Sequence, residues 1–153
     1  MNRVAVRAEE VPLPAWERRL HDYSLRVLDR LHRDSWDLSV LLCNDAYIRS
    51  LNARFRNRDE ATDVLSFPLG TTIPGGPTGE SRYLPGDIII SLETLAENST
   101  YFHVSPDEEL RRLLVHGILH LDGYDHTTNE GEEPMLQLQE RLLADLAGEH
   151  ILL

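Results

Sequence analysis

Hydrophobic and polar positions along the chain follow two different periods. Strict alternation in RVAVRA predicts a short strand, and apolar runs of strand length predict three more in WDLSVLLC, DVLSF and GDIIIS. Apolar residues at helical spacing predict five helices: from Pro14 to about Arg33, from Asn44 to about Phe55, over LETLAENSTYF, from Ser105 to about Leu121, and from Pro134 onward. The segment between Pro68 and Pro85 is rich in Gly and Pro, so we expect a loop there.

These elements predict one small mixed domain. The chain has 153 residues, which is the length of a single domain with a real hydrophobic core. We therefore expect an α+β fold over residues 1–153, with a small mixed four-stranded sheet packed with about five helices. Because no second domain is expected, any activity must depend on residues of this one core.

The fourth predicted helix has the clearest boundaries. Ser105 is its predicted N-cap, Pro106 is its first helical residue, and Glu108 stands where a capping box needs it. Gly123 can adopt the left-handed conformation that ends a helix. This helix and the turn after it contain the stretch HGILHLDGYDH, whose histidines form the strongest candidate site in the sequence.

His116, His120 and His126 have the spacing of ligands to one metal ion. The first two are four residues apart, so they lie on one helix face with Cβ atoms roughly 6 Å apart. The turn at Gly123 can bring His126 back over the helix end as a third ligand. The spacing matches the zinc-peptidase pattern H-E-x-x-H-x-x-G-x-x-H at every position but one. We therefore predict a metal site at the end of this central helix.

Three protein ligands favour a catalytic metal ion over a structural one. Structural zinc usually takes four protein ligands, often cysteines, and the single cysteine, Cys43, is on a distant predicted strand. A fourth position open to water is the catalytic pattern, in which zinc lowers the pKa of that water to about 7. A carboxylate such as Asp125 or Glu130 could instead close the site. Imidazole ligands suit zinc, nickel and related ions, so the spacing alone does not identify the metal.

The residue after the first histidine is Gly117, where a zinc peptidase has a proton-transferring glutamate. Loss of such a group typically costs a factor of about 10² to 10⁴ in rate. Peptide hydrolysis needs this proton transfer to release the amine. Phosphodiester cleavage depends mainly on charge stabilisation and an in-line nucleophile, which in RNA can be the 2′-hydroxyl. Gly117 therefore argues against a peptidase and leaves phosphate chemistry open.

An arginine close to the metal would favour phosphate chemistry, because its guanidinium binds phosphate through two parallel hydrogen bonds. The segment ARFRNR offers Arg54, Arg56 and Arg58 as candidates for contact with RNA. Asp63 could accept a proton or orient an arginine, although a role in a turn is slightly favoured. The net charge of −11 argues against nonspecific coating of nucleic acid. This net charge does not exclude a local basic patch formed by ARFRNR. The alternative is that these arginines belong to an ordinary solvated helix end.

The sequence also predicts where the protein works. Its densest apolar run, DIIISL, is too short to cross a bilayer, so no membrane partner is expected. The N-terminal stretch MNRVAVRAEEVPLP lacks the apolar core of a signal peptide, and a single cysteine allows no internal disulfide. We therefore expect a cytoplasmic protein.

The histidine stretch resembles the signature of the YbeY family, bacterial endoribonucleases and maturation factors of ribosomal RNA. TDVLSFP and GDIIIS are similar to two upstream blocks of that family, and MLQLQERLL is similar to its closing helix. The resemblance implies one divalent metal ion, usually zinc, on His116, His120 and His126, and a functional arginine at Arg56. It also implies cleavage of single-stranded RNA in 16S rRNA 3′-end maturation and ribosome quality control. The implied partners are the small ribosomal subunit and its assembly factors.

Three hypotheses follow. The leading one is a metal-dependent endoribonuclease in which a metal hydroxide or a metal-activated 2′-hydroxyl attacks phosphate while Arg56 holds the phosphate oxygens. The second is a non-catalytic, metal-binding ribosome assembly factor whose metal only fixes the histidine loop. The third, a zinc peptidase-like hydrolase with another base, ranks last because of Gly117.

Overall fold

The computed structural model describes residues 1–77 and 79–152. Four strands and five helices follow one another along the chain. In order they are β1 (Arg3–Ala8), α1 (Glu17–Arg30), β2 (Asp37–Cys43), α2 (Asp45–Arg56), β3 (Val64–Ile73), β4 (Arg82–Ser91), α3 (Leu92–Tyr101), α4 (Pro106–Leu121) and α5 (Pro134–Asp145).

The strands form one mixed sheet in the order β1-β2-β4-β3. Strands β1, β2 and β4 are parallel, and β3 pairs antiparallel with β4 at the edge. The helices that join the parallel strands supply the long connections that such strands need. The predicted α+β fold with a four-stranded mixed sheet and five helices is therefore confirmed.

Different helices pack on the two faces of the sheet. Alternate residues of β2 point to opposite sides, so Val40 belongs to the main core and Leu41 to a smaller one. The main core also contains apolar residues of α1, α4 and α5. The smaller core contains Ile48 of α2. Thus α4, the helix with two of the clustered histidines, packs on the main-core face, and α2 packs on the other.

The prediction of a loop between Pro68 and Pro85 is wrong for most of these residues. Strand β3 continues to Ile73 and β4 already begins at Arg82, so the two strands form a long hairpin. Proline is tolerated here because β3 is an edge strand and its register shifts just after Pro68. Opposite this proline, Gly86 has φ 135° and passes so close to Phe67 that no side chain would fit.

The boundaries of α4 follow the sequence signals closely. The Ser105 hydroxyl accepts a hydrogen bond from the Glu108 backbone N–H at 3.0 Å. The Glu108 carboxylate does not complete the capping box and lies 3.6 Å from Arg112 instead. At the other end, Gly123 has φ 94°, and the Tyr124 N–H donates to the Leu119 carbonyl at 3.0 Å. This turn directs the following loop back toward the helix.

The C-terminal segment is tied to the start of α4 through Asp107. One oxygen of this buried carboxylate accepts hydrogen bonds from the backbone N–H groups of Ile151 and Leu152, both at 2.7 Å. The other lies 2.9 Å from Arg111 Nε and 3.1 Å from His150 Nδ1. These contacts fix the end of α4 that is far from the histidines. Within the described residues, no helix has both the length and the apolar character needed to cross a membrane.

Candidate metal centre

The structure brings His116, His120 and His126 together at one point. The first two project from the last turns of α4, and the third comes from the loop that follows Gly123. Their ring centroids are 4.6, 5.4 and 5.7 Å apart, and one nitrogen from each lies within 4.8 Å of the other two. All three side chains are half-buried, so the cluster remains open to one side.

Hydrogen bonds fix the orientation of two of the three imidazoles. His116 Nδ1 lies 2.8 Å from the Gln139 side-chain oxygen on α5, and His126 Nδ1 lies 2.7 Å from the Thr128 carbonyl oxygen. Both partners accept, so each Nδ1 carries the hydrogen and each Nε2 keeps a lone pair. This is the usual support for a metal-binding histidine, because it sets the tautomer and the direction of the ligand.

The separation of the nitrogens suits a shared ion. His116 Nε2 and His120 Nε2 are 3.0 Å apart. Two nitrogens bound to one tetrahedral zinc ion at 2.0–2.1 Å are about 3.3 Å apart. Three imidazoles facing one point are therefore a donor set that fits a divalent metal ion.

Burial keeps two of these histidines in the form that binds metal. Desolvation lowers the pKa of His116, and the hydrogen bond to Gln139 only partly offsets it. Desolvation also lowers the pKa of His120, and the neighbouring His116 lowers it further. Neutral imidazole is the ligand form, so both side chains are ready to bind a cation at neutral pH.

No carboxylate joins the three histidine nitrogens within residues 1–77 and 79–152. Asp125 lies beside the cluster, where its carboxylate accepts a hydrogen bond from the His126 backbone N–H at 2.8 Å. Glu130 is exposed on the same loop. Neither residue closes the site as a fourth ligand in this arrangement.

Gly117 has a packing reason to lack a side chain. It is buried where α4 lies on β4, and a Cβ atom there would be 2.9 Å from Ile88 Cγ2 and 3.1 Å from Ile88 Cδ1. Carbon atoms at rest are about 3.5–4.0 Å apart. A glutamate at this position would therefore meet the sheet, so the proton-transferring residue of zinc peptidases has no room here.

A cavity of about 560 Å³ adjoins the cluster. Arg56 lines it together with His116 and His120. The Arg56 guanidinium donates to the Ser66 carbonyl at 2.5 Å, and its central carbon lies 5.3 Å from the centre of the Phe67 ring. These contacts hold an arginine at the rim of the histidine cluster although helix α2 ends on the other side of the sheet.

The other arginines of ARFRNR are placed differently. Arg54 lies over the exposed Phe55 ring at 5.4 Å, and Arg58 is 3.9 Å from Glu60. Neither lines the cavity of the cluster, so their contact with RNA stays a prediction. Asp63 does line it, but no arginine approaches its carboxylate among the described residues. That carboxylate accepts hydrogen bonds from the Val64 N–H and the Asn98 amide.

Sequence reasoning missed the supporting residues. Gln139 is buried on the apolar side of α5, one turn after Met135. A polar residue at an apolar position of an amphipathic helix was the available signal. The Thr128 carbonyl gave no such signal, because any residue type supplies a backbone oxygen.

The fold and the cluster together define a class: an α+β protein with a three-histidine cluster beside an open cavity that an arginine also lines. A family model described as Endoribonuclease YbeY matches residues 5–147. The chain therefore belongs to the endoribonuclease YbeY family, which confirms the predicted family. Endoribonucleases cleave phosphodiester bonds within an RNA strand.

Individual relatives agree with this assignment. An endoribonuclease YbeY of Treponema denticola is 47% identical over 125 residues, covering 82% of this chain and 80% of the relative. That of Treponema pallidum is 46% identical over 144 residues, covering 94% and 89%. The solution structure of a Thermotoga maritima protein superposes with a TM-score of 0.60 at 26% identity, covering 95% of this chain and 90% of that one.

Proposed function

We propose that this protein is a metal-dependent endoribonuclease that cleaves single-stranded RNA in 16S rRNA 3′-end maturation and ribosome quality control. Membership of the endoribonuclease YbeY family supports the RNA substrate. The observation that carries the proposal is a three-histidine cluster beside a cavity that Arg56 lines together with two of those histidines, His116 and His120.

His116, His120 and His126 would hold one divalent ion, for which zinc is our first candidate because three neutral imidazoles are typical zinc ligands. A bound zinc ion supplies Lewis acidity, which polarises a phosphoryl oxygen and lowers the pKa of a water molecule. Gln139 and the Thr128 carbonyl would keep a proton on Nδ1 of two histidines, which leaves Nε2 of each for the ion.

Arg56 would be the catalytic residue that binds the phosphate. Its Nη2 donates to the Ser66 carbonyl, which leaves the other N–H groups of the guanidinium for phosphate oxygens. A planar, preoriented group can bind two of these oxygens at once and stabilise the charge that develops on them. Phosphate chemistry also agrees with Gly117, which excludes the glutamate that a peptidase uses.

Binding of a long RNA needs more basic surface than one arginine. Arg54 and Arg58 flank Arg56 at the end of α2, and we propose that they contact the RNA backbone on either side of the site. At a net charge of −11, this local patch would act together with the proposed partners, the small ribosomal subunit and its assembly factors, in the cytoplasm. We further propose that residues 1–153 act as a single domain. A main core that includes both Val4 and Ile151 supports this.

The test is cleavage of a single-stranded RNA that carries the 3′ end of the 16S rRNA precursor. We expect the zinc-loaded protein to cut it and the metal-stripped protein to leave it intact. Arg56→Lys keeps the charge but loses the planar fork, so we expect the rate to fall at least about tenfold. Arg141→Lys makes the same change on the exposed surface of α5, away from the cavity, and is the matched control.

A second reading, the non-catalytic assembly factor, predicts a different result. Folded, zinc-loaded protein would then bind small ribosomal subunits without cutting RNA, and Arg56→Lys would have no effect on any product. That outcome would refute the nuclease.

A further inference from the structure

A second cavity of about 510 Å³ lies beside the histidine cluster, between α4 and α5. His116 and Asp63 line both cavities, so the two spaces adjoin at these two side chains. A phosphate held at the metal centre would therefore have its own nucleoside within reach of this second space.

Glu109 is the unexplained group in this cavity. It lies two turns before His116 on the same helix, and only 5% of its surface is exposed. Over residues 1–77 and 79–152, no group donates a hydrogen bond to its carboxylate. Desolvation raises the pKa of Glu109, and the nearby Asp63 raises it further. The Glu109 carboxylate oxygens are not fully buried, and Arg112 acts on them through its charge without a hydrogen bond, so they are free to accept hydrogen bonds from a ligand in the cavity.

An exposed aromatic pair stands at the mouth of the same cavity. Phe102 lines it with 59% of its surface exposed, and its ring packs edge-on against Tyr101 at 5.0 Å. Tyr101 is 78% exposed. Exposed aromatic rings next to an RNA-cleaving site are the usual platforms for stacking unpaired bases.

We propose that this cavity binds one unpaired nucleobase of the RNA strand, with Phe102 stacking on the base and Glu109 accepting a hydrogen bond from its amino group. The inference rests on the proposed function, because the RNA backbone must lie at the metal centre. Adenine, cytosine and guanine carry an exocyclic amino group, whereas uracil presents carbonyl oxygens on both sides of its single N–H. The cavity should therefore favour an amino-bearing base over uracil, and Glu109 is a residue that determines specificity.

The test uses seven-nucleotide RNAs of uridine with one central adenosine, cytidine or guanosine, beside the all-uridine RNA. Zinc-loaded protein is titrated with 2′-O-methyl versions, which resist cleavage through the 2′-hydroxyl, by fluorescence anisotropy. Unmodified versions are used for cleavage rates. The variants are Glu109→Gln, which keeps the shape and replaces one acceptor oxygen, and Phe102→Ala. Glu97→Gln makes the same chemical change on the exposed side of α3 and is the control.

We expect wild-type protein to bind at least one amino-bearing RNA about 10- to 100-fold more tightly than the all-uridine RNA, and Glu109→Gln, which keeps only an uncharged acceptor, to reduce this preference about fivefold. Phe102→Ala should weaken binding of every RNA about 5- to 100-fold. Glu97→Gln should behave as wild type.

Two outcomes separate this inference from the proposed function. If wild-type protein cuts RNA but has no base preference, or if Glu109→Gln shows the full wild-type preference, the base site is refuted and the nuclease stands. If wild-type protein cuts neither these RNAs nor the 16S precursor, the proposed nuclease activity is refuted. The anisotropy titrations then test the base site alone. A preference that depends on Glu109 supports it, and equal binding of all RNAs refutes it.

Discussion

Replacement of Gly117 by alanine tests how closely α4 must lie on the sheet. The added Cβ would lie 2.9–3.2 Å from three carbon atoms of Ile88. Ordinary carbon contacts are about 3.5–4.0 Å, so either the helix moves by about half an ångström or Ile88 leaves its rotamer. Such overpacking costs about 1–3 kcal/mol, while alanine in place of glycine stabilises a helix by about 1 kcal/mol. We expect Gly117→Ala to lower the free energy of unfolding by roughly 0–2 kcal/mol.

The clash is measured best by a double-mutant cycle with Ile88→Ala, followed by urea denaturation. Ile88→Ala removes all three contacting atoms, so Gly117→Ala should now stabilise by about 1 kcal/mol in that background. The coupling between the two sites should therefore be about 1–3 kcal/mol. Gly148→Ala is the control, because nothing lies within 4 Å of its Cβ position. Equal stabilisation by Gly117→Ala in both backgrounds would refute the reasoning.

Two further predictions concern the residues that support the candidate metal centre and the start of α4. Gln139→Leu should weaken zinc binding about 10- to 100-fold, because His116 loses the acceptor that fixes its tautomer. Competition with a chromophoric chelator measures this, and unchanged affinity would contradict it. Asp107→Asn should lower the free energy of unfolding at pH 7 by about 2 kcal/mol, because its hydrogen bonds lose the charge. Burial tends to raise the pKa of Asp107, but the Leu152 N–H, His150 and other donors outweigh it, so the folded-state pKa is lowered. The charge therefore stabilises the fold above the ordinary carboxyl pKa of 3.8, and this contribution disappears as pH falls through the lower folded value. Acid unfolding of Asp107→Asn should be less steep than that of wild type, and identical curves would contradict the assignment.

The histidine cluster was predictable because its information is local. Two ligands one helical turn apart and a glycine that ends the helix need no knowledge of the rest of the fold. The serine and proline at the start of α4 are equally local, and both act as the sequence indicates.

The hairpin of β3 and β4 was not predictable in the same way. Glycines and prolines between residues 68 and 85 are typical of loops, but pairing with a neighbouring strand outweighs that local preference. Gly86 is needed for the close approach of Phe67, which only the folded sheet brings about.

The supports around the site depend on tertiary structure as well. Spacing along ARFRNR could not distinguish Arg56 from Arg54. What distinguishes Arg56 is its hydrogen bond to the Ser66 carbonyl, which belongs to strand β3. Glu109 looks like an ordinary charge in the first turn of a helix, and only the folded structure shows that its side chain is buried.

The most direct test of the account is to return zinc to metal-free protein while measuring cleavage of single-stranded RNA and bound metal together. We predict that the cleavage rate rises in proportion to bound zinc and saturates at about one ion per chain. We also predict that folded His120→Ala protein neither binds zinc tightly nor cuts. Full cleavage by metal-free wild-type protein, or by the folded variant, would contradict the claim that the three histidines form the metal centre of a nuclease.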